Sequence, residues 1–239
     1  MTVDPFLAGL TGLLALAVLV VAGMRVAWAA GVVGLGGLFI LRGWDPAVGL
    51  TGLLTYAETA RYSLSVLPMF ILIGFLAFHA GLTQKAFAAA RAWTGRLPGG
   101  LAVATVFATA GFAAVSGAST ATAAVFARVS IPEMLKAGYD PRLAAGVVAA
   151  GGTLASLIPP SAILVLYGII VEESVGALLL AGFVPGVLSA ILYAGFIVLR
   201  VKISPELGPA STEAIPILEK FKALGRAWGI ISVIGVVII

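Results

Sequence analysis

Cysteine is absent from this 239-residue chain, and histidine occurs only once, at His79. Without thiols the protein has no disulfide, no cysteine nucleophile and no cysteine-ligated metal. Charged residues make up 10% of the sequence, whereas 61% of it is hydrophobic and the mean hydropathy is +1.16. Water-soluble globular domains do not have this composition, so the sequence predicts an all-α integral membrane protein in contact with the lipid bilayer.

Glycine, unlike the charged residues, is abundant, with 30 residues in the chain. Because glycine permits close helix packing and local breaks, the composition favours a packed multi-span bundle over a single anchor. The sequence pI near 9.6 and the net charge of +4 would suit nucleic acid. However, the basic residues are dispersed between apolar runs and fit the positive-inside rule when Arg25 is cytoplasmic, so no nucleic-acid partner is expected.

Two interruptions of long apolar runs carry the functional prediction. The first, at residues 116–120, separates arms that would reach only about 15 to 25 Å, less than a roughly 30 Å hydrocarbon core, which predicts a re-entrant helical hairpin. The second, at residues 158–161, contains Pro159 and Pro160 within the run 143–171. As one straight helix this run would be about 40 Å long, and the prolines remove backbone donors, which predicts a broken helix.

Unwound backbone is tolerated in a membrane only where it is buried in protein or lines a polar cavity, so the two interruptions are predicted to share one site. Their hydroxyls and freed carbonyls suit a hard monovalent cation, while half-helix N-termini favour an anion, as in cation-coupled uptake. The candidate binding site consists of the two interruptions and the residues just before the second one, namely Ser116, Gly117, Ala118, Ser119, Thr120, Gly151, Gly152, Thr153, Ile158, Pro159, Pro160 and Ser161.

The apolar runs and their connections divide the chain into six predicted segments. Five crossings precede a polar linker, so a second copy of the unit would begin on the opposite face, as in inverted-repeat transporters. The segments are scaffold-like membrane helices at 1–82 with a polar connection at 42–61, an amphipathic interfacial arm at 83–97, a transport-like hairpin and broken helix at 98–171, a membrane helix at 172–200, a cytoplasmic linker at 201–227 and the start of a truncated second repeat at 228–239.

Two other function classes compete with transport. Ser116 and Ser119 superficially resemble a serine nucleophile region, and Asp140 an aspartyl protease acid. A serine enzyme needs a base within hydrogen-bond reach, and His79 lies outside the hairpin. An aspartyl enzyme needs a second intramembrane acid, which the sequence does not offer, so no enzyme is expected. A non-transporting scaffold subunit or an inactive fragment remains the alternative.

Several ordered motifs resemble those of one transporter family. They are FAAVSGASTATA at residues 112–123, PEM at 132–134, GYD at 138–140, AAGGTL at 149–154, LIPPS at 157–161 and AGFVPG at 181–186. Together they are similar to the N-terminal half of the large membrane subunit of tripartite ATP-independent periplasmic (TRAP) transporters.

The resemblance implies the first half of an inverted-repeat, elevator-type secondary transporter in the bacterial inner membrane. It implies partnership with a small four-helix membrane subunit and with an extracytoplasmic solute-binding protein that delivers a small organic acid. It also implies no cofactor besides Na⁺ as the coupling ion. Ala118 stands where the family commonly has serine, so a hydroxyl ligand is absent there. The sodium ligands that the resemblance suggests lie at Ser116, Ser119, Gly152 and Pro159.

Overall fold

The computed structural model describes residues 4–210, 216–229 and 232, and every regular element within them is a helix. This confirms the all-α class that the composition predicts. The chain separates into two compact units, with the division between Leu64 and Ser65. The predicted start of a second repeat at 228–239 lies largely outside the described residues.

The first unit contains three helices: α1 (Pro5–Val21), α2 (Val26–Arg42) and α3 (Trp44–Thr59). The Asp4 carboxylate caps α1 by accepting a hydrogen bond from the Phe6 N–H at 2.9 Å, and Pro5 occupies the first helical position, where no donor is needed. Helix α3 corrects the sequence prediction, which treated 42–61 as a polar connection. Its start follows Gly43, and Asp45 lies in its first turn, where a negative charge stabilises the helix.

The second unit is built around one central helix. A short 3-10 helix (Tyr62–Ser65) leads into it, and its helices are α4 (Val66–His79), α5 (Leu82–Thr94), α6 (Gly100–Ser116), α7 (Ser119–Lys136), α8 (Pro141–Thr153), α9 (Ala162–Val171), α10 (Val175–Ile203) and α11 (Ile217–Arg226). Helix α6 contacts α4, α5, α7, α8 and α10 and is buried along most of its length. Its alanine, valine and threonine side chains are small, which lets neighbouring helices approach from several sides.

Helices α6 and α7 form an antiparallel hairpin. At its open end the Leu101 N–H donates to the Tyr139 hydroxyl at 3.1 Å, and at mid-height the Phe112 and Phe126 rings meet edge to face with centroids 5.9 Å apart. Helix α7 runs through Pro132 to Lys136, since the proline does not end the helix. The arms are therefore longer than predicted, because 17 and 18 residues span about 25 to 27 Å.

The interfacial arm and the polar linker both contain helices that pack on this core. Helix α5 occupies the predicted arm, bends by 69° from α4 and packs along α6, with Phe87 buried. The linker at 201–227 contains α11, which packs on α5 and which the sequence analysis did not anticipate. Its residues 211–215 lie outside the described part of the chain.

Among the described helices, α10 alone is long and apolar enough to cross a membrane by itself. The bent pair α4 and α5 also qualifies if it is counted as one span. Helices α1, α2, α6 and α9 are apolar but have 17 residues or fewer. The five predicted crossings therefore stay a prediction.

The Tyr139 hydroxyl gives the first testable prediction. Burial raises the pKa of this phenol, an effect that the Leu101 hydrogen bond opposes in part, so Tyr139 remains neutral at physiological pH. Tyr139→Phe leaves the buried Leu101 N–H without this acceptor, which should lower the free energy of unfolding by about 1 to 3 kcal/mol. Thermal unfolding in detergent measures the loss. Tyr167→Phe, at a half-exposed ring on α9, is the control, and equal stability of both variants would contradict the prediction.

Candidate functional site

The first helix break is shorter than the sequence predicted. Helix α6 ends at Ser116, Gly117 adopts a left-handed conformation with φ of 63°, Ala118 is extended, and α7 begins at Ser119. The Gly117 N–H still donates to the Ala113 carbonyl at 3.0 Å, as in a glycine-terminated helix. Only residues 117 and 118 are non-helical, because a single left-handed glycine reverses the chain. Ser116, Ser119 and Thr120 therefore belong to helices.

The second break is where the sequence placed it, and it is longer. Helix α8 ends at Thr153, a 3-10 turn covers Leu154–Ser156, and α9 begins at Ala162, with a cis peptide bond between Pro159 and Pro160. Gly151 and Gly152 lie in the last turn of α8 rather than in the break. The Ser161 hydroxyl donates to the Ser156 carbonyl at 2.8 Å and accepts from the Leu164 N–H at 3.4 Å, which closes the break.

The two breaks are in direct contact. The Ala162 N–H at the start of α9 donates to the Gly117 carbonyl at 3.0 Å. A Cβ atom added to Gly117 would lie 2.5 Å from the Pro160 carbonyl oxygen, so only glycine permits this approach. A Cβ atom on Gly152 would lie 2.7 Å from that of Ala123 and 3.2 Å from the Ser119 carbonyl oxygen. The structure thus brings the hairpin tip, residues 116–120, against the end of α8 and the start of α9.

The buried hydroxyl at the hairpin tip has a partner that the sequence analysis did not include. The Ser116 and Thr122 hydroxyl oxygens lie 2.7 Å apart, and both side chains are buried. Thr122 belongs to the quoted motif at 112–123 but not to the predicted site. Thr122 follows Ser116 by six residues, and its hydroxyl reaches Ser116 only because the break between the two helices is two residues long. The sequence would have indicated this contact if the length of the break had been known.

The remaining predicted hydroxyls differ in exposure. Thr120 and Thr153 are exposed, whereas Ser161 is fully buried within the second break. The Thr153 hydroxyl donates to the Ala150 carbonyl at 2.6 Å and lies 3.4 Å from the Tyr193 hydroxyl. The predicted residues therefore form two groups, a buried one around Gly117 and an exposed one at the surface of α7 and α8.

A cavity of about 150 Å³ lies between α4 and the hairpin tip. Gly74, Phe112, Ser116 and Ala118 are among the residues that line it, and α4 approaches closely, because a Cβ atom on Gly74 would lie 3.0 Å from the Ser116 Cα. Most of the groups that line this cavity are apolar. Ala118 contributes a methyl group to this lining.

The acidic residues and the histidine have structural contacts away from the breaks. Asp140 caps α8 by accepting from the Arg142 and Leu143 N–H groups at 2.8 and 3.2 Å. Glu133 lies 3.7 Å from both Arg91 and Lys136. The His79 Nδ1 is 3.0 Å from the Phe75 carbonyl. In the part of the chain that the structure describes, no three such side chains group to hold a metal ion.

In the part of the chain that the structure describes, an apolar set of helices in which a hairpin meets a broken helix is the arrangement expected of a membrane permease. A family profile described as the tripartite ATP-independent periplasmic transporter, DctM component, matches residues 13–239. The chain belongs to this family, the large permease components of TRAP transporters, as its motifs suggested.

Individual relatives agree with the family assignment. The chain is 35% identical over 203 residues to the C4-dicarboxylate TRAP transporter large permease protein DctM of Pseudomonas aeruginosa, covering 83% of this chain and 46% of that protein. It is 36% identical over 181 residues to the DctM protein of Vibrio cholerae, covering 74% and 39%. It is 32% identical over 166 residues to the 2,3-diketo-L-gulonate TRAP transporter large permease protein YiaN of Escherichia coli, covering 70% and 39%.

The chain spans less than half the length of these curated relatives. The relatives are named as transporter permease proteins, which sets the hydrolase interpretation aside and confirms that the chain is not an enzyme.

The contact at Gly117 gives the second testable prediction. Gly117→Ala combines a left-handed conformation, which costs about 1 to 2 kcal/mol for a residue with a Cβ atom, with a clash against the Pro160 carbonyl. It should lower the unfolding temperature and separate the breaks. Gly111→Ala in α6, the helix that ends just before Gly117, is the matched control, because its Cβ atom would meet no heavy atom within 4 Å. Equal melting temperatures for the two variants would show that the breaks do not depend on this contact.

Proposed function

We propose that the chain is a permease component of a sodium-coupled, binding-protein-dependent secondary transporter that imports small organic acids across the bacterial inner membrane. The observation that supports this most is the hydrogen bond from the Ala162 N–H to the Gly117 carbonyl, because it joins two helix breaks in one protected place. Broken helices that meet inside a membrane protein are the usual source of ion and substrate sites in such transporters.

Sodium is the proposed coupling ion. The groups near the breaks are peptide oxygens and hydroxyls, which suit a hard monovalent cation better than a transition metal. The proposed ligands lie at Ser116, Ser119, Gly152 and Pro159, and we add the Thr122 hydroxyl because it is paired with Ser116.

The proposed substrate is a small organic acid. Relatives are named for C4-dicarboxylates, sialic acid and 2,3-diketo-L-gulonate, which are carboxylates, and for isethionate, which is a sulfonate. In this chain α7 begins beside the first break, and no side chain caps its first turn. The N–H groups of an uncapped helix N-terminus favour an anion, so we place the carboxylate near Ser119 and Thr120.

The mechanism that we propose has the hairpin and the broken helix moving together in an elevator-type transition, with the hairpin entering the membrane from the cytoplasmic side. The hydrogen bond between the breaks and the close approach of Gly152 to α7 favour movement of the two as one body. We also propose, from the family, that a small four-helix membrane subunit and an extracytoplasmic solute-binding protein complete the transporter.

Sodium binding gives the third testable prediction. Purified chain in detergent should unfold at a higher temperature in NaCl than in KCl of equal ionic strength, because a ligand that binds only the folded state stabilises it. Ser116→Ala combined with Ser119→Ala should abolish the difference between the salts, whereas Thr51→Ala, on α3 in the other unit, should leave it intact.

Transport is the second readout for the same variants. Proteoliposomes that contain the chain in its full transporter assembly should lose sodium-driven organic acid uptake when both serines are replaced. A double variant that keeps the sodium-specific stabilisation and the uptake would exclude these hydroxyls as ligands. Equal stabilisation by both salts in the unmodified chain would contradict a sodium site, as a scaffold subunit predicts.

A further inference from the structure

We propose that the groove between α5, α6 and α11 binds an anionic phospholipid, with an acyl chain in the groove and the headgroup beside Lys220. The groove has a volume of about 380 Å³, and small residues such as Ala86, Ala90 and Gly111 form its floor. Trp93 and Leu224 also line it and remain 46% and 44% exposed, so the groove is open at the protein surface.

The groove exists because α11 lies antiparallel on α5. The Phe221 ring meets the Trp93 ring edge to face with centroids 5.6 Å apart, near the end of α5. At the other end of the contact, a Cβ atom on Gly229 would lie 3.0 Å from Leu82 at the start of α5. Helix α11 and the residues that follow it therefore run along α5, and α11 forms one wall of the groove.

The apolar face of α11 is only partly covered by the rest of the described chain. Ile217, Leu218, Phe221 and Leu224 recur at helical spacing and remain 72%, 63%, 57% and 44% exposed, although Phe221 meets Trp93 and Leu224 lines the groove. A short helix with a strong apolar stripe and lysines on its other face is typical of segments that lie in a membrane interface. Acyl chains are the apolar material available at that level in a membrane protein.

The basic residues beside the groove favour a lipid with a negatively charged headgroup. Lys220, Lys222 and Arg226 stand on α11 against a single acid, Glu219. Helix α5 adds Lys85, while its Arg91 is paired with Glu133 of α7. The Lys220 Nζ lies 5.8 Å from the centroid of the Trp93 ring, which itself lines the groove. A cation therefore stands next to an apolar slot, which complements the phosphate and acyl chain of an anionic lipid.

Quenching of Trp93 by brominated lipids gives the fourth testable prediction. Trp28, Trp44 and Trp228 are each at least 63% exposed, so replacing them with phenylalanine leaves Trp93 as the only reporter. The full chain is reconstituted in phosphatidylcholine vesicles with increasing fractions of chain-brominated phosphatidylglycerol or chain-brominated phosphatidylcholine. Half-maximal quenching should need about fivefold less of the anionic lipid, the factor expected for one lysine at a membrane surface.

Two pairs of variants distinguish recognition of the lipid headgroup from binding of the acyl chain. Lys220→Gln should remove the preference for phosphatidylglycerol, whereas Lys202→Gln, at the end of α10, should keep it. Gly111→Leu should fill the groove and reduce quenching by both lipids, because a Cβ atom there meets nothing within 4 Å. Gly195→Leu on α10, where a Cβ atom also meets nothing within 4 Å, should leave quenching unchanged.

Three results would overturn the proposal. Equal quenching by the two lipids would mean that Lys220 selects no headgroup. Loss of the preference on addition of inorganic phosphate would assign the lysine to a free anion rather than to a lipid. Absence of quenching by either lipid would show that protein covers the groove.

Discussion

The arrangement of the second unit depends on a backbone contact rather than on a side-chain contact. The Gly117 carbonyl accepts the first free N–H of α9, and the Pro160 carbonyl lies where a side chain on Gly117 would be. Each break leaves peptide N–H and C=O groups without helical partners, and each unpaired group would cost several kcal/mol in a membrane interior. The hydrogen bond between the breaks pairs one such group from each of them. This mutual satisfaction lets two discontinuous helices exist in an apolar chain.

Glycine supports the same contact from the surrounding helices. Gly151 lets the Thr109 hydroxyl approach α8, while Gly182 and Gly186 let α10 approach the second break at Leu157 and Ile158. A Cβ atom at any of these positions would come within 2.7 Å of a neighbouring atom. The helices α6 and α10 therefore pack closely against α8 and the second break, which keeps the broken segment buried in protein.

The sequence predicted the breaks well because their causes are local. Pro159 and Pro160 remove donors, and Gly117 takes a left-handed conformation, and both effects follow from residue type alone. The length of the first break was not predictable in this way. The sequence predicted a five-residue interruption, whereas one left-handed glycine, Gly117, is enough to reverse the chain. The Thr122 contact follows from that length and was missed for the same reason.

The helices α3 and α11 were missed for a different reason. Average hydropathy classed their segments as polar, although the spacing of Phe221 and Leu224 with the apolar residues before them already follows a helical period. The number of membrane crossings depends on the bilayer and on helix tilt, neither of which local chemistry specifies.

The end of α5 and the start of α6 are packed closely together at the corner that joins them. A Cβ atom on Gly100 would lie 2.5 Å from the carbonyl oxygens of both Thr94 and Gly95, and the Thr94 hydroxyl donates to the Gly100 carbonyl at 3.0 Å. Arg91 and Glu133 connect the same helix to the base of the hairpin. These contacts hold the end of α5 against the start and base of the hairpin, so the two are expected to shift together if the hairpin is displaced.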